Sequence, residues 1–161
     1  MTAHQAALEA LTRYFGYDSF RPGQQGIVEA LLAGRDVLGV MPTGAGKSVC
    51  YQIPAALSPG MTLVISPLIS LMRDQVDALN DLGLPAAFIN TTQTPDEQAM
   101  VFAQAAAGQI KLLYVAPERL ETGRFRDFAA RTPISLIAVD EAHCVSPVSY
   151  THLTLPTIYS V

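Results

Sequence analysis

Val37-Leu38-Gly39-Val40-Met41-Pro42-Thr43-Gly44-Ala45-Gly46-Lys47-Ser48 is a short apolar run that breaks into a glycine-rich loop and closes on a lysine and a serine. The run 37–41 suits a strand buried on both faces of a parallel sheet. Gly44 and Gly46 let backbone N–H groups turn inward around phosphate oxygens, where side chains would block the approach. The helix expected next presents its N-terminus to the anion. Lys47 then supplies a point charge to the β- and γ-phosphates, and the Ser48 hydroxyl ligates magnesium. Thr43, Gly44, Ala45, Gly46, Lys47 and Ser48 together form the predicted phosphate site for a nucleotide. A strict phosphate-loop pattern wants Gly where Met41 stands, so the string is a variant, and a glycine-rich turn with a surface lysine is the plain alternative.

Outward from the loop, strand, loop and helix alternate. Further apolar runs occur at 62–65, 86–89, 112–115 and 135–139. Leu68, Leu71, Met72, Val76, Leu79 and Leu82 form a helical stripe ending at Gly83. Thr94-Pro95-Asp96-Glu97 reads as an N-cap, a proline at the first helical position and a capping-box glutamate. Upstream, residues 3–14 read as an amphipathic helix with Leu8, Leu11 and Phe15 on one face. Pro22 can open a second helix, with Ile27, Val28, Leu31 and Leu32 inward and Gly34 closing it. Five strands with helical crossovers predict an open, mostly parallel α/β sheet with helices on both faces and its ligand at the strand C-termini.

The last of these runs ends Ala138-Val139-Asp140-Glu141-Ala142-His143. Adjacent residues at a strand end point in different directions, so two carboxylates can hold separate jobs. Asp140 can reach a magnesium shell, while Glu141 can orient and deprotonate an attacking water. Alone, such a pair is an ordinary solvated loop. Downstream of a phosphate loop it points to nucleotide hydrolysis, with Glu141, Lys47 and Asp140 as catalytic candidates and Ser48 and Asp140 as magnesium ligands. His143 has no second ligand at helical or strand spacing, so coupling or structure suits it better than metal binding.

The composition fits this reading. Of 161 residues, 50% are hydrophobic and 15% charged, a globular balance, and the formal net charge of −4 argues against a stand-alone basic nucleic-acid binder. Cys50 and Cys144 are far apart in no metal-ligand spacing and read as reduced, buried thiols. Neither a signal peptide nor an apolar run of membrane-spanning length occurs, so a cytoplasmic enzyme without a membrane partner is expected.

Residues 147–161 stand apart, with no Asp, Glu, Lys or Arg and two prolines, which makes a poor strand. The string from Val148 to Thr157 resembles the frame translation of a transposon sequencing adaptor. The expected division is therefore a lobe at 1–146 and a non-native tail at 147–161.

Several strings resemble the RecQ helicases of superfamily two. Thr-Gly-x-Gly-Lys-Ser with Asp140-Glu141-Ala142-His143 marks the superfamily. Phe15-Gly16-Tyr17 with Phe20-Arg21-Pro22-Gly23-Gln24, Ser66-Pro67-Leu68-Ile69-Ser70-Leu71-Met72-Arg73-Asp74-Gln75, Tyr114-Val115-Ala116-Pro117-Glu118-Arg119-Leu120 and Cys144-Val145-Ser146 narrow it to RecQ. The resemblance implies the first RecA-like lobe of an ATP-dependent DNA helicase that unwinds DNA 3'-to-5' in repair and recombination. It implies that Gln24 hydrogen-bonds the adenine edge, that Arg21 packs on the base and that Tyr17 borders the pocket. Read alone, Tyr17 fits a core and Arg21 beside Pro22 fits a helix cap. Ser66, Arg73, Glu118 and Arg119 would lie on the face that tracks single-stranded DNA, though each alone is an ordinary loop or helix-start residue.

The chain departs from the family after Ser146, where Pro147-Val148-Ser149-Tyr150 replaces an aromatic-rich loop. A truncated lobe is expected, lacking a strand beside the phosphate-loop strand and a second lobe with its arginine finger. An RNA helicase or duplex translocase of the same superfamily, and a nucleotide-binding module without catalysis, are the other readings. Cys144-Val145-Ser146 and the Ser66-to-Gln75 string speak against the first, and Glu141 against the second.

Overall fold

The computed structural model describes residues 1–41 and 46–141 and the backbone of 157–160. The elements run α1 (Ala3–Phe15), α2 (Gln24–Leu32), β1 (Val37–Gly39), α3 (Val49–Leu57), β2 (Met61–Ile65), α4 (Ile69–Asp81), β3 (Ala86–Ile89), α5 (Pro95–Ala106), β4 (Leu112–Val115), a 3-10 helix (Pro117–Glu121), α6 (Gly123–Arg131), β5 (Ile134–Val139) and β6 (Thr157–Ser160). The six strands pair in the order β1-β6-β5-β2-β4-β3, every pair parallel.

Strand residues alternate between two apolar layers, as the two-residue period of a strand requires. Val64, Leu112, Tyr114, Leu136 and Ala138 face a core with Leu31 of α2, Cys50 and Tyr51 of α3, and Met72, Val76 and Leu79 of α4. Leu63, Ile65, Leu113, Val115, Ile137 and Val139 face the other core, with Ala105 of α5 and Phe125 and Phe128 of α6. Helices on both sides explain why the strands read as unbroken apolar runs. The expected α/β class is the one found. Helix α1 rides outside, its Ala7 and Leu11 against Val28 and Ile53.

Local signals decide the helix ends. Thr94 and Glu97 form the expected capping box of α5, with Pro95 at its first turn, and Thr2 with Gln5 forms a second one on α1. Helix α2 starts two residues later than Pro22 suggested: Gly23 is its N-cap at φ 87°, a left-handed conformation that glycine adopts without cost. On α4 only Met72, Val76 and Leu79 are buried, while Leu71 on the helix shoulder and Leu68 and Leu82 beyond its ends are exposed. The 3-10 helix and α6 were not foreseen. Phe125 and Phe128 anchor α6, with the Phe128 ring 4.8 Å from that of Phe102.

The largest correction concerns the tail. Thr157–Ser160 is a strand, inserted between β1 and β5 with Ile158 opposite both Val37 and Ala138. The expected missing strand beside the phosphate-loop strand is therefore supplied by the segment set aside as foreign. The physical reason is local: these four residues follow Pro156, contain no proline themselves, and include Thr, Ile and Tyr, which favour strands. A strand paired on both sides needs no charged guard, which is an edge-strand device.

Candidate nucleotide site

Where β1 and β5 end, a cleft of about 510 Å³ opens, within the range of small-ligand sites. Tyr17, Arg21, Gln24, Gly46, Lys47, Ser48, Asp140 and Glu141 line it, eight residues from three separate stretches of chain. Ser19, Val49, Leu68 and Gln75 complete the wall and were not foreseen as site residues, although Leu68 and Gln75 stood in a string already singled out. Thr43, Gly44 and Ala45 lie outside the described residues, as do His143 and Cys144.

The end expected to take the base is built on the entry to α2. Gln24 is 3% exposed, and its carboxamide is engaged at both ends. Oε1 accepts the Arg21 N–H at 2.8 Å, and Nε2 donates to the Gly46 carbonyl at 3.0 Å. Gly46 sits at φ 75°, and a Cβ there would strike Gln24 Nε2. Glycine is thus favoured at position 46 by conformation, and any side chain there would have to displace the Gln24 amide. Tyr17 is half exposed at the rim, so its core alternative does not hold.

At the phosphate end, Ser48 caps α3 by position, but its side chain makes no capping hydrogen bond. Cys50 lies beneath the loop, near the Met41 sulfur at 3.8 Å and the Gly46 carbonyl at 4.0 Å. Burial pushes its thiol up to about 11.

The acids stand at the last rung of the sheet. The Asp140 N–H donates to the Ile65 carbonyl at 2.8 Å, one residue beyond β5. Glu141 then adopts φ 53°, the only non-glycine residue with positive φ among those described. Such conformations cost about 1–3 kcal/mol and gather at functional sites. The turn separates the two carboxylates and lets the Glu141 N–H donate to Asp140 Oδ1 at 3.1 Å. Burial raises the Asp140 pKa and the Glu141 charge adds to it, while the Glu141 N–H and Lys47 oppose.

A magnesium ion fits these residues. It prefers few protein oxygens plus waters and substrate phosphates. Ser48 and Asp140 share the cleft, and among the described residues no cluster of three or more His, Cys, Asp or Glu offers a full protein cage.

The four residues expected to face DNA are placed unequally. Arg73 is exposed, 5.9 Å from the Phe88 ring centre, and Glu118 is exposed. Arg119 is partly buried, with its Nε unpartnered. Ser66 is 1% exposed, and its hydroxyl accepts the Leu68 N–H at 3.2 Å, so its side chain shapes the turn into α4 and is not offered at a surface.

A parallel sheet covered by helices, with this cleft at its strand ends, is a RecA-like lobe. A crystal structure titled as a DUF1998 helicase, MrfA, bound to DNA and AMPPNP superposes with a TM-score of 0.76 over 99% of this chain and 26% of that one, at 17% identity. A hypothetical ATP-dependent RNA helicase from Sulfolobus tokodaii gives 0.69 over 97% of this chain and 50% of that one, at 20% identity.

The chain belongs to the DEAD/DEAH box helicase family, which matches residues 21–154, and within it to the RecQ group. It is 52% identical to the ATP-dependent DNA helicase RecQ of Haemophilus influenzae over 140 residues, 87% of this chain and 23% of that protein. It is 47% identical to the Bacillus subtilis protein of the same name over 141 residues, 87% of this chain and 24% of that protein. The chain thus spans about a quarter of the length of these relatives.

Proposed function

We propose that the cleft holds Mg-ATP, and that the protein to which this lobe belongs couples ATP hydrolysis to 3'-to-5' translocation on DNA and its unwinding. The observation that carries this is the convergence of Gln24, Gly46, Lys47, Ser48, Asp140 and Glu141 on one cleft. Lys47 neutralises the β- and γ-phosphates, and Ser48 and Asp140 hold magnesium, which withdraws charge from the transferred phosphoryl group. Glu141 orients the attacking water and takes its proton. Arg21 and Tyr17 border the base, and Gln24 reads its edge. Arg73, Glu118 and Arg119 lie by the strand ends where a DNA strand would pass.

The test is Lys47→Ala, read by titration with a fluorescent ATP analogue in Mg2+. The parent chain binds, and the variant loses at least tenfold in affinity. Equal binding by both would remove the phosphate assignment. The origin proposed for residues 147–161 is tested separately, by reading the codons for 146–148 from an independent template.

A further inference from the structure

A second cleft, of about 200 Å³, opens past the ends of β3 and β4, at the other edge of the sheet from the nucleotide site. Its floor is apolar, from Ile89, Phe102 and Phe125, and its wall carries Arg119 and Arg124. Among the described residues no carboxylate lines it. The turn between the 3-10 helix and α6 brings the two cations together. The Arg119 carbonyl accepts the Thr122 hydroxyl at 2.8 Å, and the Thr122 oxygen accepts the Phe125 N–H at 3.3 Å as the cap of α6. Arg124 follows in the first turn of α6, its guanidinium 5.5 Å from the Phe102 ring centre. A guanidinium resting on a ring still has its in-plane N–H groups for a ligand. Arg119 Nε is buried and has no hydrogen-bond partner. Leaving a buried donor of a charged group unmatched is costly, and such a donor calls for an acceptor. Neither arginine has a carboxylate in ion-pair range among the described residues. The N-terminus of α6, a helix of nine residues, adds its partial positive charge at the same place.

Two arginines without carboxylates, a helix N-terminus and an orphan buried donor suit an anion with several acceptor oxygens. A phosphate supplies these, and the guanidinium fork matches it. Arg73 stands over Phe88, on the opposite face of β3 from Ile89, so positive charge continues along this edge beyond the cleft. An extended polyanion meets both places, whereas a free phosphate uses the cleft alone. On the reading that a DNA strand passes these strand ends, we propose that the cleft grips one backbone phosphate of that strand between Arg119 and Arg124. Arg124 stands in none of the sequence strings singled out above, and its place on α6 alone brings it there.

The test is fluorescence anisotropy of a fluorescein-labelled oligothymidylate with the 161-residue chain, across a salt series. Arg124 is exposed, so Arg124→Gln should leave the thermal midpoint near that of the parent. It should weaken binding about fivefold and flatten the slope of log affinity against log salt by about 0.7, the share of one phosphate on a single strand. Arg126, also exposed on α6, lies outside the cleft. Arg126→Gln removes the same charge and should stay within about twofold of the parent. Equal losses in the two variants would mark a net-charge effect and overturn the proposal, as would parent-like binding by Arg124→Gln. Without any mutation, undiminished binding of the parent to a methylphosphonate oligothymidylate, whose backbone is uncharged, would overturn the phosphate contact. Inorganic phosphate, titrated against the parent and Arg124→Gln, distinguishes the other source. A loss for inorganic phosphate with none for the oligonucleotide would make this a free-anion site and overturn the DNA assignment. A parent chain that binds the oligonucleotide but ignores Arg124 removes this proposal alone. One that binds no oligonucleotide removes the reading of a DNA path as well.

Discussion

The Gln24 side chain donates to the Gly46 carbonyl at 3.0 Å, joining the entry of α2 to the last glycine of the phosphate loop across 22 residues of sequence. With its other end on the Arg21 N–H, one buried amide holds the entry of α2 and the residue before Lys47 in fixed relation. An adenine edge would have to share this amide with the protein itself.

Gln24→Ala should therefore do more than remove a base contact. The Gly46 carbonyl and Arg21 N–H lose a partner each, and as both bonds are only part-buried the loss is about 0.5–1.5 kcal/mol apiece. Competition titrations should show about tenfold weaker ATP binding and less preference for ATP over GTP. If ATP and GTP compete equally in the parent chain, the adenine role for Gln24 is wrong.

Gly46→Ala combines two penalties, a left-handed backbone and a Cβ against Gln24. The left-handed conformation alone costs roughly 1–2 kcal/mol in an L-residue. Calorimetry should show a lower melting temperature and nucleotide titration no measurable binding. A variant that bound as the parent does would mean the loop takes another path when filled.

Glu141→Gln, placed in the full-length protein, should retain nucleotide binding and lose hydrolysis by at least 100-fold, since the amide cannot accept the water's proton. Steady-state turnover beside a binding titration checks this. Parent-like turnover would return Glu141 to the status of a turn residue.

The pH response of the nucleotide-free chain follows from Asp140. Its folded pKa is raised above 3.8, chiefly by burial, so between the two values the folded chain holds more protons than the unfolded one. Its contribution to stability is greatest below the unfolded value and falls as pH rises through the folded value. Asp140→Asn should then melt higher than the parent at pH 7, with the gap closing toward pH 4. The assignment of a destabilising buried charge is lost if the variant melts lower at pH 7.

Cys50, with its thiol raised to about 11 and its side chain buried, should resist alkylation. In a Cys144→Ser background, iodoacetamide at pH 8 should label the native chain at least tenfold more slowly than the urea-unfolded chain, as the thiolate is the reacting form. Intact mass reads the outcome, and equal rates would place the thiol at the surface.

What could be read from sequence follows from what each residue is buried against. The runs at 86–89 and 112–115 are strands in full because both their faces meet helices, and the carboxylates at 140 and 141 fall at a strand end as their place in the sequence implied. Helix α6 was invisible because two phenylalanines among four charged residues give too thin a stripe for a periodic signal. Strand β6 was hidden by the charge-free, proline-flanked segment around it, although a doubly paired inner strand needs neither charge nor length. At the cleft, the groups with their own chemistry announced themselves. Ser19 and Leu68 did not, since they are merely carried to the rim by the elements beside them.

The insertion of β6 also orders events in time. Among the described strands β1 reaches the rest of the sheet only through β6, which follows all of the others in the chain. While the chain is still emerging from the ribosome, β5, β2, β4 and β3 can already assemble, but the strand that leads into the phosphate loop has no hydrogen-bonded neighbour. Pairings so distant in sequence form slowly. The hydrogen bonds that tie β1 into the sheet are thus made late, after Val37 has waited for Ile158, and until then only packing on α2 and the core beneath it holds that strand.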